Sequence, residues 1–138
     1  MPTLQELLNQ QAVKPARKRH NDEEHRIQCS YVRWFALKYP KLKERLFAVP
    51  NGGRRDAITA AKLKAEGVVA GVADLILLLP NRYYGALLIE TKTAKGKQSQ
   101  AQRQWQKLIT ERGEYRYIVC RSLDEFISEV EDYIKYCD

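Results

Sequence analysis

Residues 71–93 read GVADLILLLPNRYYGALLIETKT: two apolar runs of strand length on either side of the turn-forming PNRYYG. Pro, Asn and Gly break both periodic patterns, and the flanking Leu and Ile residues favour a pleated surface. The stretch predicts a β-hairpin with strands over 72–79 and 86–93. Asp74 and Glu90 are equidistant from residue 82, so pairing symmetrical about the turn sets them directly opposite each other. Side chains alternate along a strand, which puts Lys92 on the same face as Glu90. Both strands are apolar on both faces, as expected of central strands covered by helices on each side. Two carboxylates and an ammonium therefore meet at one end of a hydrophobic sheet. Charges are costly to bury without a partner or a role. Paired carboxylates make a hard-oxygen site suited to Mg²⁺ or Mn²⁺. A neighbouring Lys can hold a water or stabilise developing negative charge.

Elements are legible outward from the hairpin. Upstream, N-D-E-E reads as a capping box with Asn21 as N-cap and Glu24 at N3. A helix follows through Ile27, Tyr31, Trp34 and Phe35 and stops before Pro40. RLFAV is a short strand, PNGG a turn, and AITAAKLKAEG a helix with Gly67 as its C-cap. Downstream, Ser99 caps a helix over about 100–112, with Gly113 past its end. YRYIVC is a further buried strand. S-L-D-E opens a last helix whose apolar stripe is Leu123, Phe126, Ile127, Val130 and Ile134. The order α-β-α-β-β-α-β-α fits an α/β fold with a mixed four-stranded sheet flanked by helices. Residues 1–20 read as a basic N-terminal arm with Pro15 as a breaker, and 21–138 as one folded domain.

The chain has 138 residues and a net charge of +7. Charge is unevenly spread. Residues 122–138 hold six acids against Lys135, a local −5, so the remainder carries +12. That asymmetry favours a polyanionic partner such as DNA. Residues 92–107 contain Lys92, Lys95, Lys97, Arg103 and Lys107 and no acid. Lys95, Lys97 and Arg103, with Arg54 and Arg55, are placed to track phosphates. No base-reading motif is present, so recognition by backbone and shape is expected. No apolar run approaches the roughly 20 residues that span a bilayer, and no signal-peptide core is evident, so a cytoplasmic location is expected. Cys29, Cys120 and Cys137 are isolated, which argues against zinc. His20 and His25 stand in a polar stretch, as surface residues do.

The spacing D-(x15)-E-T-K, together with PNGG, KAEGVVAGVADL, LLIETKTAKGKQS and the downstream QRQW, resembles the VRR-NUC domain. This is the virus-type replication-repair branch of the PD-(D/E)XK nucleases. The resemblance runs from about Glu24 to Cys120. It departs at Ala73, where the superfamily usually has Pro; that position shapes backbone rather than chemistry. The resemblance implies a restriction-endonuclease-like core and a Mg²⁺- or Mn²⁺-dependent endodeoxyribonuclease. Asp74 and Glu90 would be metal ligands, with the Thr91 carbonyl as a further oxygen, and Lys92 would orient the attacking water. Glu24 is similar to the helix acid that completes this site, which implies a metal ligand acting directly or through water, although the capping box alone also explains it. Gln102 matches the family's Gln upstream of an aromatic, although Ser99-x-x-Gln102 is itself a capping box. Stand-alone domains of this size resemble viral and prophage members. That implies a homodimer acting on branched DNA, such as four-way junctions, in a bacterial host cytoplasm. The competing reading is a DNA-binding module with a nuclease fold inside a larger repair or replication assembly.

Overall fold

The computed structural model describes residues 1, 3, 4, 18–50 and 56–138, and of residues 18–21 the backbone alone. Its elements are α1 (Lys18–Lys38), a 3-10 turn (Lys43–Arg45), β1 (Leu46–Ala48), α2 (Ala57–Ala65), β2 (Leu75–Leu77), β3 (Leu87–Thr91), α3 (Gln100–Thr110), β4 (Arg116–Cys120) and α4 (Leu123–Ile134). They form one mixed sheet in the order β1-β2-β3-β4. The first two pairings are antiparallel and β3–β4 is parallel, with α3 as the crossover. This is the α/β arrangement expected from the sequence.

The hairpin register is Leu75↔Ile89, Ile76↔Leu88 and Leu77↔Leu87. It is symmetrical about residue 82, so the next step outward sets Asp74 opposite Glu90. Asn81 builds the turn. Its side-chain oxygen accepts from the Tyr83 and Tyr84 amides at 2.9 and 2.8 Å. Its amide nitrogen donates to the Tyr133 carbonyl of α4, and the Tyr133 hydroxyl donates to the Leu79 carbonyl. The hairpin tip is thus fastened to the last helix.

Alternation sorts the sheet into two faces. Leu75, Leu77, Leu87, Ile89, Ile118 and Cys120 join Tyr31 and Phe35 of α1 and Phe126, Val130 and Tyr133 of α4 in the main core. Tyr31 and Phe126 stack at 4.4 Å between centroids, locking the two helices together. The opposite face carries Ile76, Leu88, Glu90 and Tyr117, and α3 covers its β4 side through Trp105, 6.2 Å from the Tyr117 ring.

Several local readings need adjustment. The hairpin strands expected over 72–79 and 86–93 are shorter, Leu75–Leu77 and Leu87–Thr91. α1 begins at Lys18, so Asn21 lies inside the helix rather than capping it. Lys and Arg are good helix formers, and they carry the helix one turn further than the capping pattern suggests. At the end of α2, Glu66 is the C-cap and Gly67, with φ +103°, is the residue beyond it. The amides of Gly67 and Val68 bond back to Lys64 and Leu63, a Schellman closure. At α4, Ser122 accepts from the Glu125 amide as expected, but the Glu125 side chain reaches the Arg121 amide instead of closing the box on Ser122. The PNGG turn lies outside the described residues, as does the arm up to residue 17 apart from residues 1, 3 and 4.

Candidate metal and nucleic-acid site

Asp74 stands just before β2 and is tied to the neighbouring strand. One carboxylate oxygen accepts the Thr91 amide at 2.8 Å. On its other side the Asp74 carbonyl accepts the Val49 amide at 2.9 Å, so β1 fixes the backbone here. Glu90 is fully buried, and neither of its carboxylate oxygens has a hydrogen-bond partner among the described residues. An unpaired buried carboxylate of this kind costs several kcal/mol, in order of magnitude, unless something completes it.

The electrostatics match that picture. Burial raises the pKa of Asp74; the Thr91 amide and Lys92 oppose the rise. Burial likewise raises that of Glu90, against Gln98, Lys92 and Tyr117, while Asp74 pushes it further up. Gln98 and Tyr117 lie close enough to temper Glu90 without making a well-aligned hydrogen bond to it. Each of the two acids responds to Lys92, and Glu90 also to Asp74, which joins the three residues in one electrostatic cluster.

Lys92 follows the last residue of β3, with its amide on the Cys120 carbonyl at 3.0 Å. The chain then turns sharply, and the Gly96 amide bonds to the Thr93 carbonyl. Lys95 and Lys97 project from this turn, exposed. Beyond it, Gln98 returns to the Glu90 face and donates to the Gln106 side chain at 2.9 Å. Exposed Arg103 donates to the Gln98 carbonyl at 2.7 Å. The basic segment is therefore a shaped edge beside the acids.

Gln102 completes the capping box of α3: its side-chain oxygen accepts the Ser99 amide at 2.7 Å, and its own amide donates to the Ser99 hydroxyl. The helix start is held close to Asp74 by Gly71. A Cβ on Gly71 would stand 2.4 Å from the Ala101 carbonyl and 2.8 Å from the Gln102 nitrogen. Gly71 also has φ +84°, which favours glycine. Gly71, Gln98 and Tyr117 are contributors that the motif reading did not single out. Gly71 and Tyr117 act across the fold and Gln98 across the turn, so their roles depend on contacts that the motif spacing does not show.

Not every expected residue converges. Glu24 is half-buried on α1, which packs on the Ile89 face of β3, whereas Glu90 belongs to the opposite face. Among the described residues no three His, Cys, Asp or Glu side chains gather into a metal-sized group. Arg54 and Arg55 lie outside the described residues. The thiols are free, with Cys120 buried and its pKa pushed up to about 12 by burial.

The orphaned Glu90 oxygens next to Asp74 fit a hard divalent cation. Mg²⁺ in particular is held by one or two carboxylates with water completing its shell. Comparison with known proteins identifies the fold and the family. A solved structure titled "VRR_NUC domain protein" superposes with a TM-score of 0.72 at 28% identity, over 83% of this chain and 90% of that one. No curated protein matches. The VRR-NUC domain model matches residues 8–124, a span that contains the hairpin, the acid pair, the basic turn and the capped α3. With that span matched and the sheet shared, the chain belongs to the VRR-NUC family, a family of nuclease domains.

Proposed function

We propose that this domain is a Mg²⁺- or Mn²⁺-dependent DNA endonuclease that hydrolyses phosphodiester bonds and selects branched DNA, such as four-way (Holliday) junctions. The observation that carries the reading is the buried Glu90 carboxylate, unpaired and set beside Asp74 at the end of a rigid hairpin. Asp74 and Glu90 would hold the cation, with the Thr91 carbonyl as a further oxygen. A bound cation of this type lowers the pKa of water and neutralises phosphate charge. Lys92 would orient the attacking water and offset charge gathering on the phosphate. Gln102 would act through the start of α3, and Glu24 through water at most. Lys95, Lys97 and Arg103 would follow the strand leaving the site, joined by Arg54 and Arg55.

Paired cuts on a junction require two sites related by a two-fold axis, and C₂ dimers are the commonest homo-oligomers. The apolar stripe of α4 is turned to the core, with Phe126, Val130 and Tyr133 buried. By contrast α2 buries none of its residues, and exposed Ile58, Val68 and Val69 lie on or beside it. That region is the surface favoured for a homodimer.

The alternative is a DNA-binding module within a larger repair or replication assembly. Incubation of purified protein with Mn²⁺ and a panel of linear, flap and four-way DNAs separates the two. The nuclease reading expects metal-dependent nicks, fastest on the junction. Tight binding with no product under any metal supports the module.

A further inference from the structure

The turn after β3 is held by a residue that no motif marks. Arg121, the first residue past β4, sends its guanidinium back across the sheet end. Its Nη1 donates to the carbonyls of Thr93 at 2.7 Å and Gly96 at 2.6 Å, with that of Ala94 at 3.4 Å. One Nη1 has two hydrogens, and both are used on the two short contacts. Arg121 makes no ion pair among the described residues. Its charge is therefore directed at backbone carbonyls that have left the sheet and lack a strand partner. The bond to Gly96 matters most, because Gly96 packs on the Lys92 stem. A Cβ built on Gly96 would stand 3.4 Å from Lys92 Cδ and 3.1 Å from the Thr93 hydroxyl. Arg103 holds the other end of the segment through the Gln98 carbonyl.

We propose that Arg121 is a positioning residue whose guanidinium braces residues 93–96, fixing Lys92 against Gly96 and presenting Lys95 and Lys97 as a preset edge for a DNA strand. The inference rests on the nuclease reading for its effect on turnover, but not for its effect on the turn. Pre-set cationic side chains lose less freedom on binding than mobile ones, and a misplaced catalytic ammonium costs rate steeply.

The test compares full-length wild type, Arg121→Ala, Arg121→Lys and Gly96→Ala. Three quantities are read: amide hydrogen exchange over residues 93–98, Mn²⁺ affinity, and kcat and KM on a DNA substrate. Arg121→Ala should speed exchange in the turn and lower kcat, each by about tenfold or more, while Mn²⁺ affinity stays within about twofold. Arg121→Lys should recover a substantial part of both, since an ammonium also donates to carbonyls. Gly96→Ala leaves Arg121 in place but crowds the Thr93 hydroxyl and presses on the Lys92 stem, so kcat should fall without loss of metal binding; it serves if Arg121→Ala does not fold. Unchanged exchange in Arg121→Ala overturns the brace. Faster exchange with unaltered kcat overturns the positioning role and leaves the nuclease reading intact. If wild type itself cleaves nothing, the nuclease reading fails, and the exchange data alone decide the brace.

Discussion

At the scale of single residues, Glu90 is the informative side chain. It is a carboxylate without exposure or partner, placed where the sheet is most buried. In metal-free protein its raised pKa, and that of Asp74, has a definite sign. Each acid contributes stability below its ordinary value, 4.5 and 3.8, and that contribution is lost as the pH rises through the raised folded value. Glu90→Gln removes the titration. In chelator at neutral pH this variant should melt above wild type, and the gap should close below pH 4.5. Thermal melts across pH check this; a variant less stable than wild type at neutral pH contradicts it. Asp74→Asn, Glu90→Gln and Lys92→Ala should each reduce cleavage by about 10²-fold or more. A variant with near wild-type turnover removes that residue from the mechanism. The Asp74–Glu90 pairing was legible because the hairpin is symmetrical about residue 82, so counting alone found the register. Arg121 and Gly71 were not, because their contacts cross more than 20 residues of chain, and nor was Tyr117, which meets Glu90 from the neighbouring strand.

At the scale of elements, local chemistry explains most boundaries. Ser99 with Gln102, Ser122, and Gly67 mark helix ends by satisfying orphan backbone groups, and each leaves a sequence trace. The start of α1 was misplaced because a good N-cap pattern also sits comfortably inside a helix when the preceding residues favour helix themselves. Glu24 shows the same limit: periodicity places it on the Tyr31 stripe of α1, but not on a face of the sheet. Layering decides that, and layering depends on which strand face α1 covers. Two substitutions test the packing. Phe126→Ala, which empties a fully buried stack on Tyr31, should cost about 3–5 kcal/mol. Gly71→Ala forces a Cβ onto the start of α3 at a positive φ and should cost more than about 1 kcal/mol. Denaturant titration measures both, and a neutral Gly71→Ala shows that the approach to α3 is not tight.

At the scale of the whole molecule, charge and surface take over from packing. Lys92, Lys95, Lys97 and Arg103 follow one another along the segment that leaves the acid-bearing end of β3, while the acids of 122–138 lie on the last helix and tail. DNA affinity should therefore fall steeply as salt rises, through counterion release, and Lys95→Ala with Lys97→Ala should flatten that slope by about one to two charges. Binding isotherms across salt give the slope, and an unchanged slope removes both lysines from the interface. Sequence composition revealed the asymmetry, and strand alternation already set Lys92 beside Glu90; the fold adds the turn from which Lys95 and Lys97 project. The central claim is that Asp74 and Glu90 together hold the cation. Calorimetric titration of Mn²⁺ into wild type, Lys92→Ala and the Asp74→Asn, Glu90→Gln double variant tests it most directly. Saturable binding by wild type and Lys92→Ala, lost in the double variant, is the predicted result. Equal Mn²⁺ affinity in wild type and the double variant would contradict it.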